Sequence, residues 1–268
     1  MEPFIIQNFK MFAPVQVGDR QTWAHLDTGA SGAMIVASEA RAYEATGSRL
    51  VQGGIGRQEA AKVRLPALNF LGRTFRDVGA IVFDGAEYFG DTPFPVTMTL
   101  GADILLSERL ILDFKRLWIG LADRPARDDL PGHPLDCRTG LPLVELHLGD
   151  HRMNSIIDTG AAYCILNAVH VADLGIRPER IYSLEVQDPA GGKGEMPVYR
   201  VEGVRAGDTR LGVCESFVAS LEQIESRLSE RIDFVLGANA LLSSALVWVL
   251  DRREGRLHLS ERDVDVLA

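Results

Sequence analysis

The tetrapeptide Asp-Thr-Gly-Ala occurs twice in this chain of 268 residues, as Asp27-Thr28-Gly29-Ala30 and as Asp158-Thr159-Gly160-Ala161. A single carboxylate in a turn is insufficient for acid–base hydrolysis, but two such loops facing each other would bring Asp27 and Asp158 into one site. Like charges held that close cannot both ionise easily, so the pair would share a proton. The ionised carboxyl could then deprotonate a water while the protonated carboxyl donates to a substrate carbonyl.

The repetition extends well beyond the tetrapeptide. A Gly-Asp dipeptide ends eight residues before each motif Asp, at Asp19 and Asp150, so lead-in and motif share an offset of 131 residues. Further on, the segment 100–103 matches 236–239, and the pair 112–113 matches 250–251. Because the landmarks keep their order in both halves, we interpret the chain as a tandem duplication.

A boundary is predicted between the two copies. Residues 122–142 contain four prolines and several charges with little apolar periodicity, which is typical of an exposed linker. We therefore predict an N-terminal lobe over residues 1–126 and a C-terminal lobe over residues 127–268.

The elements that must position the two motifs are mostly short apolar segments closed by Gly, Asp or Pro turns. Strands are predicted at residues 14–17, 22–26, 62–65, 76–83, 143–148, 154–157, 198–204 and 213–219. One short helix is predicted in each half, over residues 101–110 and 237–246, and residues 222–231 read as a solvated helix or loop. This pattern predicts an all-β protein of two barrel-like lobes.

Composition and charge narrow the possible partners. The net charge is −9, whereas nucleic acids and anionic membranes call for a basic surface, so we expect neither as a partner. The N-terminus lacks a basic and apolar signal pattern, and we expect a cytoplasmic protein. Three cysteines without a CxxC pair favour reduced, buried thiols over disulfides or structural zinc.

Three other motifs are interpreted as structural. The run Gly191-Gly192-Lys193-Gly194 lacks the Ser or Thr and the glycine spacing of a phosphate-binding loop. His147 and His151 flank a predicted turn, which favours surface histidines over a metal pair. Cys164 has apolar neighbours and is expected to be a core thiol.

Taken together, the motifs resemble those of aspartic peptidases, and in detail those of the retropepsins. Besides the Asp-Thr-Gly-Ala loops, the glycine-rich run 51–57 is similar to the flap hairpin that closes over substrate in that family. A hydrophobic-hydrophobic-Gly segment also precedes each predicted short helix, as Thr99-Leu100-Gly101 and Val235-Leu236-Gly237. Retropepsins are normally homodimers, and this sequence resembles a single-chain, fused form of such a dimer.

The resemblance implies a role for each matching residue. Asp27 and Asp158 would form the catalytic dyad, Thr28 and Thr159 would join the loops across the lobes, and Gly29 and Gly160 would contact the substrate backbone. The first flap would comprise Gly53, Gly54, Ile55 and Gly56. The second would include Gly191 and Gly192, which lie farther from their Asp than the first flap does from Asp27, and this difference implies flaps that close unequally.

Ala30 and Ala161 stand where pepsin-like enzymes usually carry a hydroxyl. A hydroxyl there could donate to the carboxylates and lower their pKa, so its absence predicts activity nearer neutral pH.

The sequence thus predicts an aspartic endopeptidase that acts as a monomer on a peptide or protein substrate, with no metal or organic cofactor. Two alternatives stay open. One is a peptide-binding module that kept the fold and lost catalysis, although retention of both motifs speaks against it. The other is a dedicated protease that processes a single precursor, which the sequence does not distinguish from a general peptidase.

Overall fold

The chain was examined as a computed structural model that describes residues 1–52, 57–84, 86–122, 132–175, 177–187 and 193–261. The described residues form two β-sheets with few helical residues, which confirms the predicted all-β class. Within those ranges, no helix is long and apolar enough to cross a membrane.

The N-terminal half contributes eleven strands within the described ranges. They are β1 (Glu2–Pro3), β2 (Ile5–Gln7), β3 (Lys10–Val17), β4 (Arg20–Leu26), β5 (Ala33–Val36), β6 (Glu44–Gln52), β7 (Arg57–Phe70), β8 (Arg73–Phe83), β9 (Val96–Leu100), β10 (Arg109–Asp113) and β11 (Trp118–Ala122).

The C-terminal half contributes twelve strands among the described residues. They are β12 (Gly132–Asp136), β13 (Leu143–Leu148), β14 (His151–Ile157), β15 (Cys164–Asn167), β16 (Glu179–Gln187), β17 (Lys193–Val201), β18 (Val204–Ala206), β19 (Thr209–Arg210), β20 (Cys214–Ala219), β21 (Phe234–Leu236), β22 (Val247–Asp251) and β23 (Arg256–Ser260).

Four short α-helices lie between these strands in the described part of the chain, two in each half. They are α1 (Ala37–Ala40), α2 (Ala102–Leu105), α3 (Glu222–Leu228) and α4 (Ala238–Ser244), and a 3-10 turn spans Ala86–Phe89. The prediction of one helix per half was therefore wrong in number.

Both halves use one arrangement of strands around the motif. In the N-terminal half the sheet order is β2-β3-β4-β9-β5-β8-β7-β6, and a further β3–β7 pairing curls the sheet on itself. The C-terminal half runs β13-β14-β21-β15-β20-β17-β16. In each, the strand before the motif lies parallel to a later strand, β4 with β9 and β14 with β21.

The alternation of side chains explains why these segments form strands. In β13, Leu146 and Leu148 point into the core while Glu145 and His147 are more exposed. A half-buried strand needs this period of two because successive side chains point to opposite faces of a sheet.

The two halves are joined by a sheet to which both contribute strands, in the order β1-β11-β10-β22-β23-β12. At its centre β10 pairs antiparallel with β22, with Leu110 opposite Leu250 and Leu112 opposite Trp248. All residues of β10 and β22 are buried, so this junction is a buried, mainly apolar layer between the halves that also encloses charged residues at the strand ends.

Three sequence predictions require correction. The helix predicted over residues 101–110 ends at Leu105, and Arg109 already begins β10. The strand predicted over residues 198–204 is interrupted at Gly203, whose positive φ of 82° turns the chain. The linker predicted over residues 122–142 contains β12, which pairs with β13 and β23. The lobe boundary near residue 127 lies outside the described residues and stays a prediction.

Candidate active site

Each Asp-Thr-Gly-Ala loop starts where a buried strand ends beside its parallel neighbour. The backbone N–H of Asp27 donates to the carbonyl of Leu100 at 3.0 Å, and that of Asp158 donates to the carbonyl of Leu236 at 3.0 Å. The ends of β9 and β21 therefore fix the positions of the two aspartates. The repeated hydrophobic-hydrophobic-Gly segments thus supply the carbonyl groups that hold the start of each motif loop.

The glycine that follows each of these strands allows a close approach to the motif loop. A Cβ at Gly101 would overlap the backbone of Gly32, and one at Gly237 would overlap the backbone of Tyr163. Just beyond them, the N–H of Ala102 donates to the Ala30 carbonyl, and the N–H of Ala238 donates to the Ala161 carbonyl, both at 2.7 Å. In each half, the first residue of the short helix therefore hydrogen-bonds to the last residue of the motif.

The two threonines form a reciprocal hydrogen-bond network across the halves. The N–H of Thr28 donates to Oγ1 of Thr159, and the N–H of Thr159 donates to Oγ1 of Thr28, both at 3.0 Å. Each hydroxyl in turn donates to a carbonyl on the opposite half, Thr28 to Ile157 at 2.7 Å and Thr159 to Leu26 at 2.9 Å. Because both threonines are buried, these bonds hold the two loops in one fixed relation.

The carboxyls of Asp27 and Asp158 face each other within this frame. A Cβ at Gly29 would overlap the carboxyl of Asp158, and a Cβ at Gly160 would overlap the carboxyl of Asp27. Each carboxyl therefore lies against the glycine of the opposite loop, and the two carboxyls hydrogen-bond to each other. Any larger residue at either glycine would separate them.

Backbone donors support each carboxyl from its own loop. Oδ1 of Asp27 accepts from the N–H of Ala30 at 2.8 Å. Oδ1 of Asp158 accepts from the N–H groups of Gly160 and Ala161 at 2.8 and 3.0 Å. Hydrogen bonds to the ionised form favour it, and Asp158 has more of them.

The shared environment raises the pKa of both acids. Burial, and then the nearby charge of Asp158, raise the pKa of Asp27 well above its ordinary value. Burial also raises the pKa of Asp158, but the backbone donors of Ala161 and Gly160 oppose that rise. The proton of the pair is therefore favoured on Asp27 and the negative charge on Asp158.

His25 is a notable residue beside the site that sequence reasoning missed. It lies two residues before Asp27 on β4 and is fully buried against Phe12, Tyr88 and Phe89. Within the described part of the chain, neither ring nitrogen has a hydrogen-bond partner, and burial followed by the charge of Lys10 lowers the pKa of His25 to about 3. The sequence did contain a signal for this residue, because a histidine stands within the predicted strand that leads to the motif.

The remaining predicted site residues fall outside the described residues. They are the flap residues Gly53, Gly54, Ile55, Gly56, Gly191 and Gly192. The strands that lead to and from those segments are described: β6 pairs with β7, and β16 pairs with β17, both antiparallel. Each half thus carries a hairpin at the position where the sequence places a flap.

Cys164 and His147, which were interpreted from the sequence as structural, have identifiable hydrogen-bond partners. Cys164 is fully buried, and its Sγ accepts from the N–H of Gly237 at 3.3 Å. Nε2 of His147 lies 3.1 Å from a Glu145 carboxylate oxygen. Among the described residues, no group of three or more His, Cys, Asp or Glu side chains is arranged to hold a metal ion.

Comparison with known protein families identifies both halves. The sequence model of the family described as aspartyl protease matches residues 13–104 and again residues 144–240. Each matched region contains one Asp-Thr-Gly-Ala loop and its hydrophobic-hydrophobic-Gly segment. The chain belongs to the aspartyl protease family, in the retropepsin-like clan. A search of curated proteins found no match.

Proposed function

We propose that this protein is an aspartic endopeptidase whose catalytic dyad is Asp27 and Asp158, one from each half of a single chain. The observation that carries the proposal is the packing of each carboxyl against the glycine of the opposite loop. Membership of the aspartyl protease family supports the reaction class.

The hydrogen bonds and pKa shifts of the two carboxyls support an assignment of one as the base and the other as the acid. Asp158, with two backbone donors from its own loop, acts as the base and takes a proton from a water held between the carboxyls. Asp27, on which the proton is favoured, donates to the carbonyl oxygen of the peptide bond as the water oxygen attacks the carbonyl carbon. The resulting gem-diol breaks down when Asp158 returns its proton to the amide nitrogen and one gem-diol hydroxyl gives its proton to Asp27. The C–N bond then breaks and releases an amine and a carboxylic acid.

The fixed geometry of the dyad comes from the threonine network. Thr28 and Thr159 are bonded to each other's loops, so little reorganisation is needed when substrate arrives. A substrate in extended conformation would lie between the halves, hydrogen-bonded by strand addition to the β6–β7 and β16–β17 hairpins.

The finer assignments belong to the same proposal. A monomer suffices because one chain supplies both aspartates, and we propose lobes over residues 1–126 and 127–268. Whether the enzyme acts generally or on one precursor is decided by the substrate range in the experiment below.

The test is cleavage of a diverse peptide library between pH 4 and 8 by the wild type, Asp27→Asn and Asp158→Asn. We expect the wild type to cleave and both variants to lose at least about a hundredfold in kcat/KM. Asp150→Asn is the matched control, because Asp150 is an exposed turn residue of the same half, and it should retain activity.

If the wild type cleaves nothing, binding of a statine-type transition-state mimic separates the alternatives. Tight binding that is lost in both Asp→Asn variants supports a peptidase dedicated to one substrate. Peptide binding that is unchanged in both variants would overturn the proposed chemistry in favour of a peptide-binding module.

A further inference from the structure

A cluster of aromatic rings lies beside the Asp158 loop and is built from both halves. Tyr163 follows the motif by two residues, and its ring packs 5.2 Å from that of Phe217, centroid to centroid. Phe9, from the β2–β3 turn of the other half, meets Tyr163 edge-on at 5.5 Å. The hydroxyl of Tyr182 on β16 lies 3.5 Å from the Tyr163 hydroxyl.

A carboxylate completes this cluster. Glu215 on β20 accepts a hydrogen bond from the Tyr182 hydroxyl. Burial, and then the Glu215 carboxylate, raise the pKa of Tyr182, so the phenol stays a donor. One donor leaves most of the acceptor capacity of Glu215 unused, since a carboxylate has about four lone-pair sites.

The cluster is partly open to solvent. Phe9 and Tyr182 are 38% and 37% exposed, respectively. Each contacts Tyr163, so the three side chains form a partly exposed aromatic patch of the kind that marks a binding surface. Tyr163, between them, is half-buried.

The first half has no counterpart of this cluster. The offset of 131 residues places Gly32 where Tyr163 stands in the second half. Strand register gives the next match: Ala33 pairs with Ala80, as Cys164 pairs with Ser216, so Gly79 stands where Glu215 does. Tyr163 and Glu215 of the second half therefore correspond to two glycines, Gly32 and Gly79, in the first half.

The chemistry of the cluster selects its ligand. Aromatic faces attract a cation, and a carboxylate beside them adds a charge-assisted hydrogen bond. The net charge of −9 attracts cationic ligands over longer distances.

We infer that Phe9, Tyr163, Tyr182 and Glu215 form a specificity subsite that binds a lysine or arginine side chain of the peptide substrate. This inference rests on the proposed peptidase function. Tyr182 belongs to β16, the strand that leads to the second predicted flap.

The first arm of the test measures cleavage. Decapeptide sets with Lys or norleucine fixed at one position, and other positions degenerate, are compared for kcat/KM. Wild type should prefer Lys at one position, and Glu215→Gln should reduce that preference about tenfold while leaving norleucine peptides nearly unchanged. Tyr182→Phe, which keeps the ring but removes the donor, should retain a Lys preference.

The matched control is Glu145→Gln, which removes one negative charge from the surface of the same half. If it lowers the Lys preference as much as Glu215→Gln, long-range charge explains the selectivity and the subsite is overturned. Cleavage with no Lys or Arg preference at any position would overturn the subsite while leaving the peptidase function standing.

The second arm does not need turnover. Degenerate peptides with one reduced amide bond at the centre, carrying Lys or norleucine at each position in turn, are titrated into Asp27→Asn and into Asp27→Asn with Glu215→Gln. Lys-dependent binding that the second variant loses supports the subsite even where no peptide is cleaved. Absence of any Lys-dependent binding in this arm overturns it.

Discussion

Arg109 and Asp251 form a buried ion pair across the junction of the two halves. Nε of Arg109, on β10, donates to Oδ2 of Asp251, on β22, at 2.7 Å, and Nη2 donates to the same oxygen. The duplication does not generate a second, equivalent ion pair. Asp113 corresponds to Asp251 in the repeat, but Val247 stands where a second arginine would be, and Oδ2 of Asp113 is buried without a hydrogen-bond partner.

Breaking this pair should destabilise the whole molecule. Arg109→Met leaves the Asp251 carboxylate buried without its cation, which costs about 3–5 kcal/mol in comparable buried pairs. The free energy of unfolding in urea measures the effect. Arg138→Met is the control, because its pair with Asp136 lies at the surface, and it should leave stability nearly unchanged. Equal effects of the two variants would contradict a structural role for the buried pair.

The close approach of the two motif loops predicts the effect of one added methyl group. Gly160→Ala places a Cβ onto the Asp27 carboxyl and forces the dyad apart, so kcat/KM should fall by about a hundredfold or more. Gly79→Ala is the control, since a Cβ there meets no atom within 4 Å. Near-normal cleavage by Gly160→Ala, assayed on the same peptides, would show that the carboxyls need not be in contact.

His25 predicts how stability depends on pH. Its pKa is about 3 in the folded protein, against an ordinary value of 6.5, so the unfolded chain binds the extra proton between these limits. Stability should fall as pH drops from about 6.5 towards 3, by up to roughly 1.4 kcal/mol per pH unit. The dyad contributes with the opposite sign, because its raised pKa values favour the protonated folded state at low pH.

Replacing His25 isolates its contribution. His25→Leu should be more stable than wild type at neutral pH by about 1–3 kcal/mol, since two unpaired ring nitrogens leave an apolar cluster. The gap should widen as pH falls from 6.5 to 4, in urea titrations at each pH. His151→Leu, at an exposed position, serves as control. A gap that stays constant with pH would mean that His25 is solvated or paired in solution.

The alanines after the motif glycines predict a shift in the pH–rate profile. Ala30→Ser with Ala161→Ser adds hydroxyls next to N–H groups that already donate to the carboxyls. A further hydrogen bond to the ionised form, worth about 1 kcal/mol, should move the acidic limb of kcat/KM down by about 0.7 pH unit. Ala42→Ser, at an exposed position, should leave the profile unchanged. A shift towards higher pH would refute the argument.

The duplicated motifs made much of the framework readable from the sequence. The repeat of Asp-Thr-Gly-Ala and of the hydrophobic-hydrophobic-Gly segments predicted the tandem organisation and the two loops of the candidate site, and the short apolar segments between turns predicted the all-β class. These features are local, since the loop and its parallel partner strand are specified within each half.

Contacts between the halves outside the two motif loops were not readable from the sequence. Residues 104–112 are apolar with few interruptions, a pattern that fits a buried helix as well as a strand. The choice is made by β11 and β22, which pair with the two edges of β10. The meeting of Phe9 with Tyr163 likewise depends on how the halves are juxtaposed, as does the pairing of Arg109 with Asp251.

The difference between Gly32 with Gly79 and Tyr163 with Glu215 has a consequence for the orientation of a bound chain. A cleft made of two identical halves presents the same surface to a peptide entering N-terminus first or C-terminus first. Here the second half carries Tyr163 and Glu215 where the first half carries two glycines, which have no side chain. If the proposed subsite binds a basic side chain, the two threading directions are inequivalent, and we expect a peptide with one basic residue to have a single preferred polarity across the proposed dyad.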